Sequence, residues 1–283
     1  MAKNSPIEWT HHTFNPWWGC VRVSPGCKNC YAEAWAKRVG LDLWGAKAPR
    51  RFFSDAHWKE PIRWNLEAAR EGTRRRVFCA SMADAFERRT ELNSWRERLW
   101  TLIGETPWLD WLLLTKRPER IADVVPWTNA WPANVWLGTT AENQHWANKR
   151  LPELVRHPAA VLFVSAEPLL GSLDLQPWLG SGKDQRRVSW VIAGGESGAK
   201  ARPMNPDWAR DLRDQCAAAG TKFHFKQWGH WGPDTANAEV RVPRITLPSE
   251  RGTPITLAKL GKKASGRRLD GRTWDEFPEP RPN

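Results

Sequence analysis

No stretch of this 283-residue chain stays apolar long enough to cross a bilayer, which excludes a transmembrane helix. The opening Met1-Ala2-Lys3-Asn4-Ser5-Pro6 lacks the apolar core of a secretory leader, so the cytoplasm is the expected location. Cysteine is scarce and odd in number: three of the five fall within residues 20–30, while Cys79 and Cys216 stand alone. That is a poor disulfide framework, and in a reducing compartment clustered thiols read as metal ligands. Acidic residues are outnumbered, 31 against 43 Lys and Arg, and the net charge of +12 favours a polyanionic partner. Tyrosine is nearly absent: Tyr31 stands against 21 tryptophans. Most of these, such as Trp95, Trp100 and Trp111, fall in helix or strand patterns and are expected in the core. Others are suited to lining a groove where bases stack. At 41% hydrophobic and 26% charged, the composition is that of a globular protein with a sizeable core.

The chemistry concentrates in Trp17-Trp18-Gly19-Cys20-Val21-Arg22-Val23-Ser24-Pro25-Gly26-Cys27-Lys28-Asn29-Cys30-Tyr31, a Gly/Pro-punctuated loop leading into a helical stretch over 32–39. Three thiolates on one loop can chelate one soft metal centre. Structural zinc wants a fourth ligand, and His11 or His12 is near enough in sequence to supply it. A cubane iron–sulfur cluster takes one cysteine per iron, so three cysteines would leave one iron open to a substrate or cofactor. The residues alone leave both readings standing.

Downstream, short apolar runs alternate with helix-length amphipathic segments. The runs cover 76–80, 111–115, 135–139, 160–165, 190–194 and 222–226; the helical segments include 92–103, 143–156 and 206–219. Continuous apolar strands alternating with helices predict a parallel sheet covered on both faces. With a first strand over 7–14, about six or seven parallel strands suit an α/β fold built as a complete or partial (β/α) barrel. A doubly wound sheet is the alternative, although no Gly-x-Gly-x-x-Gly follows an early strand. The expected organisation is a barrel domain over 1–231 carrying the cysteine loop, then a basic Pro/Gly-rich appendage over 232–283.

Ligands of parallel α/β folds bind at the carboxyl ends of the strands. There the chain places Ser81-Met82-Ala83-Asp84, Thr115-Lys116-Arg117-Pro118, Thr139-Thr140-Ala141-Glu142-Asn143, Ser165-Ala166-Glu167-Pro168, Gly194-Gly195-Glu196-Ser197-Gly198 and Lys226-Gln227-Trp228-Gly229. Helix capping accounts for some of the Ser, Thr and Asp. It accounts less well for Lys116, Glu167, Glu196 and Lys226, which suit a zwitterionic or polyanionic ligand.

Taken in order, these blocks carry a resemblance. The Trp-x-Gly-Cys-x6-Cys-x2-Cys-Tyr-Ala run, Thr-Lys-Arg-Pro, Gly-Thr-Thr-Ala-Glu-Asn, Ser-Ala-Glu-Pro-Leu, Ala-Gly-Gly-Glu-Ser-Gly and the ending Gly266-Arg267-Arg268-Leu269-Asp270-Gly271-Arg272 resemble a bacteriophage and prophage protein family. That family has no assigned function and is similar to radical S-adenosylmethionine enzymes. The resemblance implies that Cys20, Cys27 and Cys30 hold three irons of a 4Fe-4S cluster. The fourth iron would be chelated by the methionyl amine and carboxylate of S-adenosylmethionine. Electron transfer would then release a 5′-deoxyadenosyl radical, which needs an electron donor.

The first cysteine gap is six residues, against the three usual in that superfamily. The superfamily's Gly-Gly-Glu motif follows its second strand, whereas Gly194-Gly195-Glu196 follows a late one here. Ser81 and Asp84 are therefore the expected amine contacts, with Gly194, Gly195 and Glu196 at a ribose, carboxylate or substrate site. Lys116, Thr139, Glu142 and Glu167 complete the expected cofactor-binding set, and Tyr31, next to the last cysteine, is expected either to pack on the adenine or to anchor the core. The expected activity is modification or repair of bases in nucleic acid or a nucleotide. The competing expectation is a non-catalytic nucleic-acid-binding module with a Cys3His zinc site.

Overall fold

The computed structural model describes residues 2–128, 130–180, 187–234 and 241–279. Six apolar runs form the expected strands: β3 (Arg75–Cys79), β4 (Leu109–Thr115), β5 (Val135–Thr140), β6 (Val161–Ala166), β7 (Val188–Gly194) and β8 (Lys222–Gln227). A short β2 (His12–Thr13) precedes them, and an edge pair begins at β1 (Ala2–Lys3). All eight lie in one sheet in sequence order. β2 to β8 run parallel, and only β1 is antiparallel. No strand crosses over another, so the sheet has no switch point and the doubly wound alternative falls away. The result is an open, curled half-barrel of seven parallel strands.

The period of two along each strand sorts the core into two layers. Val77, Cys79, Trp111, Leu113, Val135, Leu137, Val191 and Ala193 face outward and join the large cluster under the helices. Phe78, Leu112, Trp136, Phe163, Trp190 and Ile192 point inward and fill the hollow with Trp9. Gly138 faces inward opposite Phe163, and a Cβ there would run into the Phe163 ring. A strand glycine is needed at that point because a ring occupies the space.

The helices are α1 (Tyr31–Arg38), α2 (Asp55–Glu71), α3 (Asn93–Glu105), α4 (Ile121–Val124), α5 (Gln144–Leu154) and α6 (Pro206–Ala218). α2 stops at Gly72, whose φ of 62° is left-handed. Asn143 caps α5 by accepting from the Trp146 amide. Asn205 does the same for α6 through Asp207, with Pro206 in the first turn. Asn143 and Asn205 thus mark where the loops that follow β5 and β7 stop. Among the described residues no helix is long and apolar enough to cross a membrane.

Beyond β8, β9 (Gly232–Pro233), β10 (Arg244–Ser249) and β11 (Gly252–Ala258) make a separate antiparallel sheet, followed by α7 (Lys262–Ser265). The chain then returns along the open edge of β8. Phe225 donates its amide to the Trp274 carbonyl, and Glu276 donates to the Phe223 carbonyl. Leu269 is fully buried in the outer core, and the Phe277 ring lies 5.4 Å from Trp190 at the inner one. The returning segment covers an edge that would otherwise leave backbone groups unpaired.

Nine of the tryptophans are buried, Trp100 and Trp111 among them, while Trp95 packs partly buried against the same cluster. Three buried or half-buried imidazoles are held neutral. Burial depresses His224 to about 4 despite Asp275 nearby, and Arg267, Lys226 and Arg76 add to the depression. Burial and the neighbouring arginines bring His11 and His12 to about 4 as well. An unfolded imidazole protonates near 6.5, so between these values the unfolded chain binds more protons. Stability is thus full above about 6.5 and lost as pH falls towards 4. Urea midpoints should drop across that window, and His224→Gln should flatten the slope; an unchanged slope would contradict the assignment.

Candidate functional site at the carboxyl end of the half-barrel

The cysteine loop leaves β2 and is tied to the end of β3 by fully buried Asn15. Its side-chain oxygen accepts the Met82 amide at 2.7 Å, and its amide donates to Ser81 Oγ at 3.0 Å. Gly19, with φ +113°, donates its amide to the Met82 carbonyl, and a side chain there would collide with the Leu43 carbonyl. Ser24 accepts the Cys27 amide to form a one-turn 3₁₀ helix over Pro25–Cys27. Cys30 then caps α1, and the amides of Ala32 and Glu33 face its thiol.

Two carboxylates clamp the loop from outside. Glu142, with no exposed surface, accepts from Arg150 at 2.8 Å, contacts the Ser24 hydroxyl and packs against Gly26. Glu196 accepts from Asn29 at 2.9 Å and from Arg202, whose guanidinium also reaches the Pro25 carbonyl at 3.0 Å. Burial acts to raise the Glu196 carboxyl, but Arg202 and Asn29 outweigh it and hold it below the ordinary range. The loop conformation is therefore fixed by the protein itself.

The three thiols open into one cavity of about 460 Å³ at the carboxyl ends of β3 to β8. Its floor is apolar, with Trp9, Phe78 and Leu114, and its rim is polar. Tyr31, Ser81, Asp84, Lys116, Glu167, Gly195 and Glu196 all lie on its wall. Tyr31 is 56% exposed, yet its hydroxyl donates to the Ser81 carbonyl at 2.8 Å, so the ring is open while the oxygen is held. Lys116 Nζ bonds the Thr140 hydroxyl at 3.1 Å. Glu167 and Lys226 pair at 2.9 Å. Thr139, by contrast, spends its hydroxyl on the Thr115 carbonyl inside the sheet, and Glu142 is buried behind the loop. Gly194 sits where a side chain would meet the Glu167 carboxylate. Gly195 packs so closely on the Trp228 carbonyl that no Cβ fits.

Asp84 is a hub. Its oxygens accept from the Phe86 and Lys116 amides, the Thr115 hydroxyl and Arg117, the last at 2.7 Å. Burial acts to raise this carboxyl, and those partners, Arg117 above all, bring it below its ordinary value. Arg117 then reaches the cysteine loop, donating to the Val21 carbonyl at 2.7 Å and to Cys20 Sγ at 3.9 Å. Burial pushes the Cys20 thiol up to about 12, Asp84 and Glu87 add to this, and Arg117 opposes them. Burial also raises Cys30, against the pull of the α1 amides. A metal centre held by these thiols would have to displace their protons.

Among the described residues, no group of three or more His, Cys, Asp and Glu side chains is gathered as for one ion. Thiolates around one tetrahedral ion stand only about 3.8 Å apart, given Zn–S bonds near 2.3 Å. Those of a cubane each hold a separate iron and stand wider. The histidines expected to complete a Cys3His zinc site do not join the cysteines. His11 and His12 line a different pocket with Lys3, Glu67 and Glu71. Their Nδ1 atoms accept the amides of Arg76 and Asn4. The zinc alternative therefore has no histidine to close it.

The arrangement defines a class: an open parallel half-barrel with a three-cysteine loop over its carboxyl-end cavity. The chain belongs to the family described as protein of unknown function DUF5131, whose model matches residues 4–278. No curated protein matches it in sequence. Three solved structures similar to it are of spore photoproduct lyase. A double mutant with bound AdoMet and dinucleoside spore photoproduct has 12% identity and a TM-score of 0.43, over 88% of this chain and 68% of that one. A complex with dinucleoside spore photoproduct has 12% identity and a TM-score of 0.42, over 86% and 66%. A point mutant has 11% identity and a TM-score of 0.39, again over 86% and 66%.

Proposed function

We propose that this chain is an iron–sulfur radical S-adenosylmethionine enzyme of phage or prophage origin that modifies or repairs bases in nucleic acid. The observation that carries the reading is the convergence of Cys20, Cys27 and Cys30 with the polar ends of β3 to β8 on one cavity. Three soft ligands suit a 4Fe-4S cluster with one open iron. When bound, the cluster and S-adenosylmethionine supply electron delivery and hydrogen-atom abstraction.

The protein's own contribution is positional. Glu142 and Glu196 hold the loop, and Arg117 holds both the loop and the Asp84 hub. Asp84, fully occupied, orders Lys116 and Arg117; Ser81 and the Glu167–Lys226 pair remain at the wall for the methionyl amine and carboxylate. The open face of Tyr31 suits an adenine. Gly195 lets the chain leaving β7 pack on the Trp228 carbonyl just past β8, and Gly194 leaves the Glu167 carboxylate its place, which keeps the ribose or substrate side open. The apolar floor excludes water from the reacting atoms. The net charge of +12 favours a polyanionic substrate. An external electron donor and the reducing cytoplasm complete the expected setting.

Anaerobic protein given S-adenosylmethionine, dithionite and host or phage nucleic acid should produce 5′-deoxyadenosine and an altered nucleoside, both read by mass spectrometry. A fully cluster-loaded protein that cleaves no S-adenosylmethionine would overturn the proposal.

A further inference from the structure

A second cavity, of about 430 Å³, adjoins the cysteine cavity and shares with it Val21, Val23, Lys116 and Arg117. Its remaining walls come from the segment after β3 and from α5, which place Arg88, Arg89, Trp146, Lys149 and Arg150 around one groove. Several of these charges are already balanced. Arg89 pairs with Glu91, Arg117 with Asp84, Arg150 with Glu142, and the groove's Glu87 with buried Arg50. Arg88, Lys116 and Lys149 have no acidic partner among the described residues, and Glu119 is the one lining carboxylate without a cation. The groove keeps a net positive charge.

Arg150 adds an independent sign of a ligand. It is 1% exposed, and its Nη1 serves Glu142 and the Thr140 carbonyl. Its Nε and Nη2 are buried with no hydrogen-bond partner, beside a Trp146 ring 4.2 Å from the guanidinium. Unused donors on a buried cation are costly, and an acceptor brought by a ligand relieves that cost. A planar guanidinium fork matches phosphate oxygens.

We propose that this groove binds backbone phosphates of a nucleic-acid strand next to the base held in the cysteine cavity. The inference rests on the nucleic-acid substrate proposed above and names how that substrate is gripped. The shared wall of Val21, Val23, Lys116 and Arg117 sets the two cavities side by side, the arrangement that one strand spanning both requires. Phosphate contacts set register and carry the salt dependence of binding, while the neighbouring cavity reads the base.

The test uses cluster-loaded protein and a fluorescein-labelled single-stranded oligonucleotide, followed by anisotropy across a salt series. Arg88→Gln with Lys149→Gln alters two exposed side chains outside the cysteine cavity. The double variant should bind at least tenfold more weakly. Its slope of log affinity against log salt should be shallower by about 1.4, since each lost phosphate contact contributes about 0.7 for a single strand. Cleavage of S-adenosylmethionine without nucleic acid should match wild type. A variant with wild-type affinity and slope would overturn the groove while leaving the nucleic-acid substrate standing. A wild-type protein that binds no oligonucleotide would overturn both.

Discussion

Cys27→Ala should yield a folded but nearly iron-free protein whose cleavage of S-adenosylmethionine falls by more than ~100-fold, the loss already seen when groups merely supporting a metal ligand are removed. Folding should survive because the loop does not depend on this thiol. Among the described residues, the one hydrogen-bond contact of Cys27 Sγ is with the Ser24 hydroxyl, at 3.9 Å. Asn15, Glu142, Glu196 and Arg117 hold the loop by hydrogen bonds to its backbone and neighbouring side chains. Cys20→Ala and Cys30→Ala should behave alike, whereas Cys79→Ala and Cys216→Ala should keep iron and activity. Those two thiols lie in the outer core, away from the cavity. Iron analysis with circular dichroism checks this directly. A Cys27→Ala protein that keeps both iron and cleavage would refute the ligand assignment.

The second large effect belongs to Asp84→Ala. Asp84 and Arg117 side chains are each 7% exposed, and the substitution strands a buried guanidinium and removes four acceptor contacts. Breaking a buried pair from one side costs about 3–5 kcal/mol, because the remaining charge is left uncompensated. The damage should also spread to the site, since Arg117 is the strut to the Val21 carbonyl. Reconstitution should then give less cluster per chain. Adding Arg117→Met should recover part of the lost stability by removing the stranded charge. Denaturant midpoints of the two single variants and the double variant close the cycle. Purely additive losses would show that the pair is not coupled.

Much of the half-barrel is legible in the sequence, because buried parallel strands are written as continuous apolar runs. The run read at 135–139 became β5 over Val135–Thr140, and that at 111–115 became the end of β4 over Leu109–Thr115. The first strand was less readable. Only His12–Thr13 pair in it, since Thr10 donates back to the Ile7 carbonyl in a turn. The tail lacks apolar runs because β10 and β11, though as long as the barrel strands, stay exposed or half-buried over most of their length, yet Leu269 and Phe277 pack against the barrel.

At the site, polar strand ends were visible but their duties were not. Glu142 and Glu196 look alike in sequence to Glu167; only their partners Arg150, Arg202 and Asn29, brought in by folding, make them clamps. Asn15 and Arg117 were missed as organisers for the same reason. Their significance lies in contacts 66 and 96 residues away along the chain. Periodicity cannot report such partners. The groove's basic residues come from three separate segments, around 88–89, 116–117 and 149–150, and left no contiguous charge run to read.

The central claim is best tested by magnetic resonance on the reduced, cluster-loaded protein with S-adenosylmethionine labelled with ¹⁵N in its amine and ¹⁷O in its carboxylate. The account predicts a 4Fe-4S signal with hyperfine coupling to both labels, present in wild type and lost in Cys27→Ala. A fully formed cluster that shows no coupling to either label would contradict it.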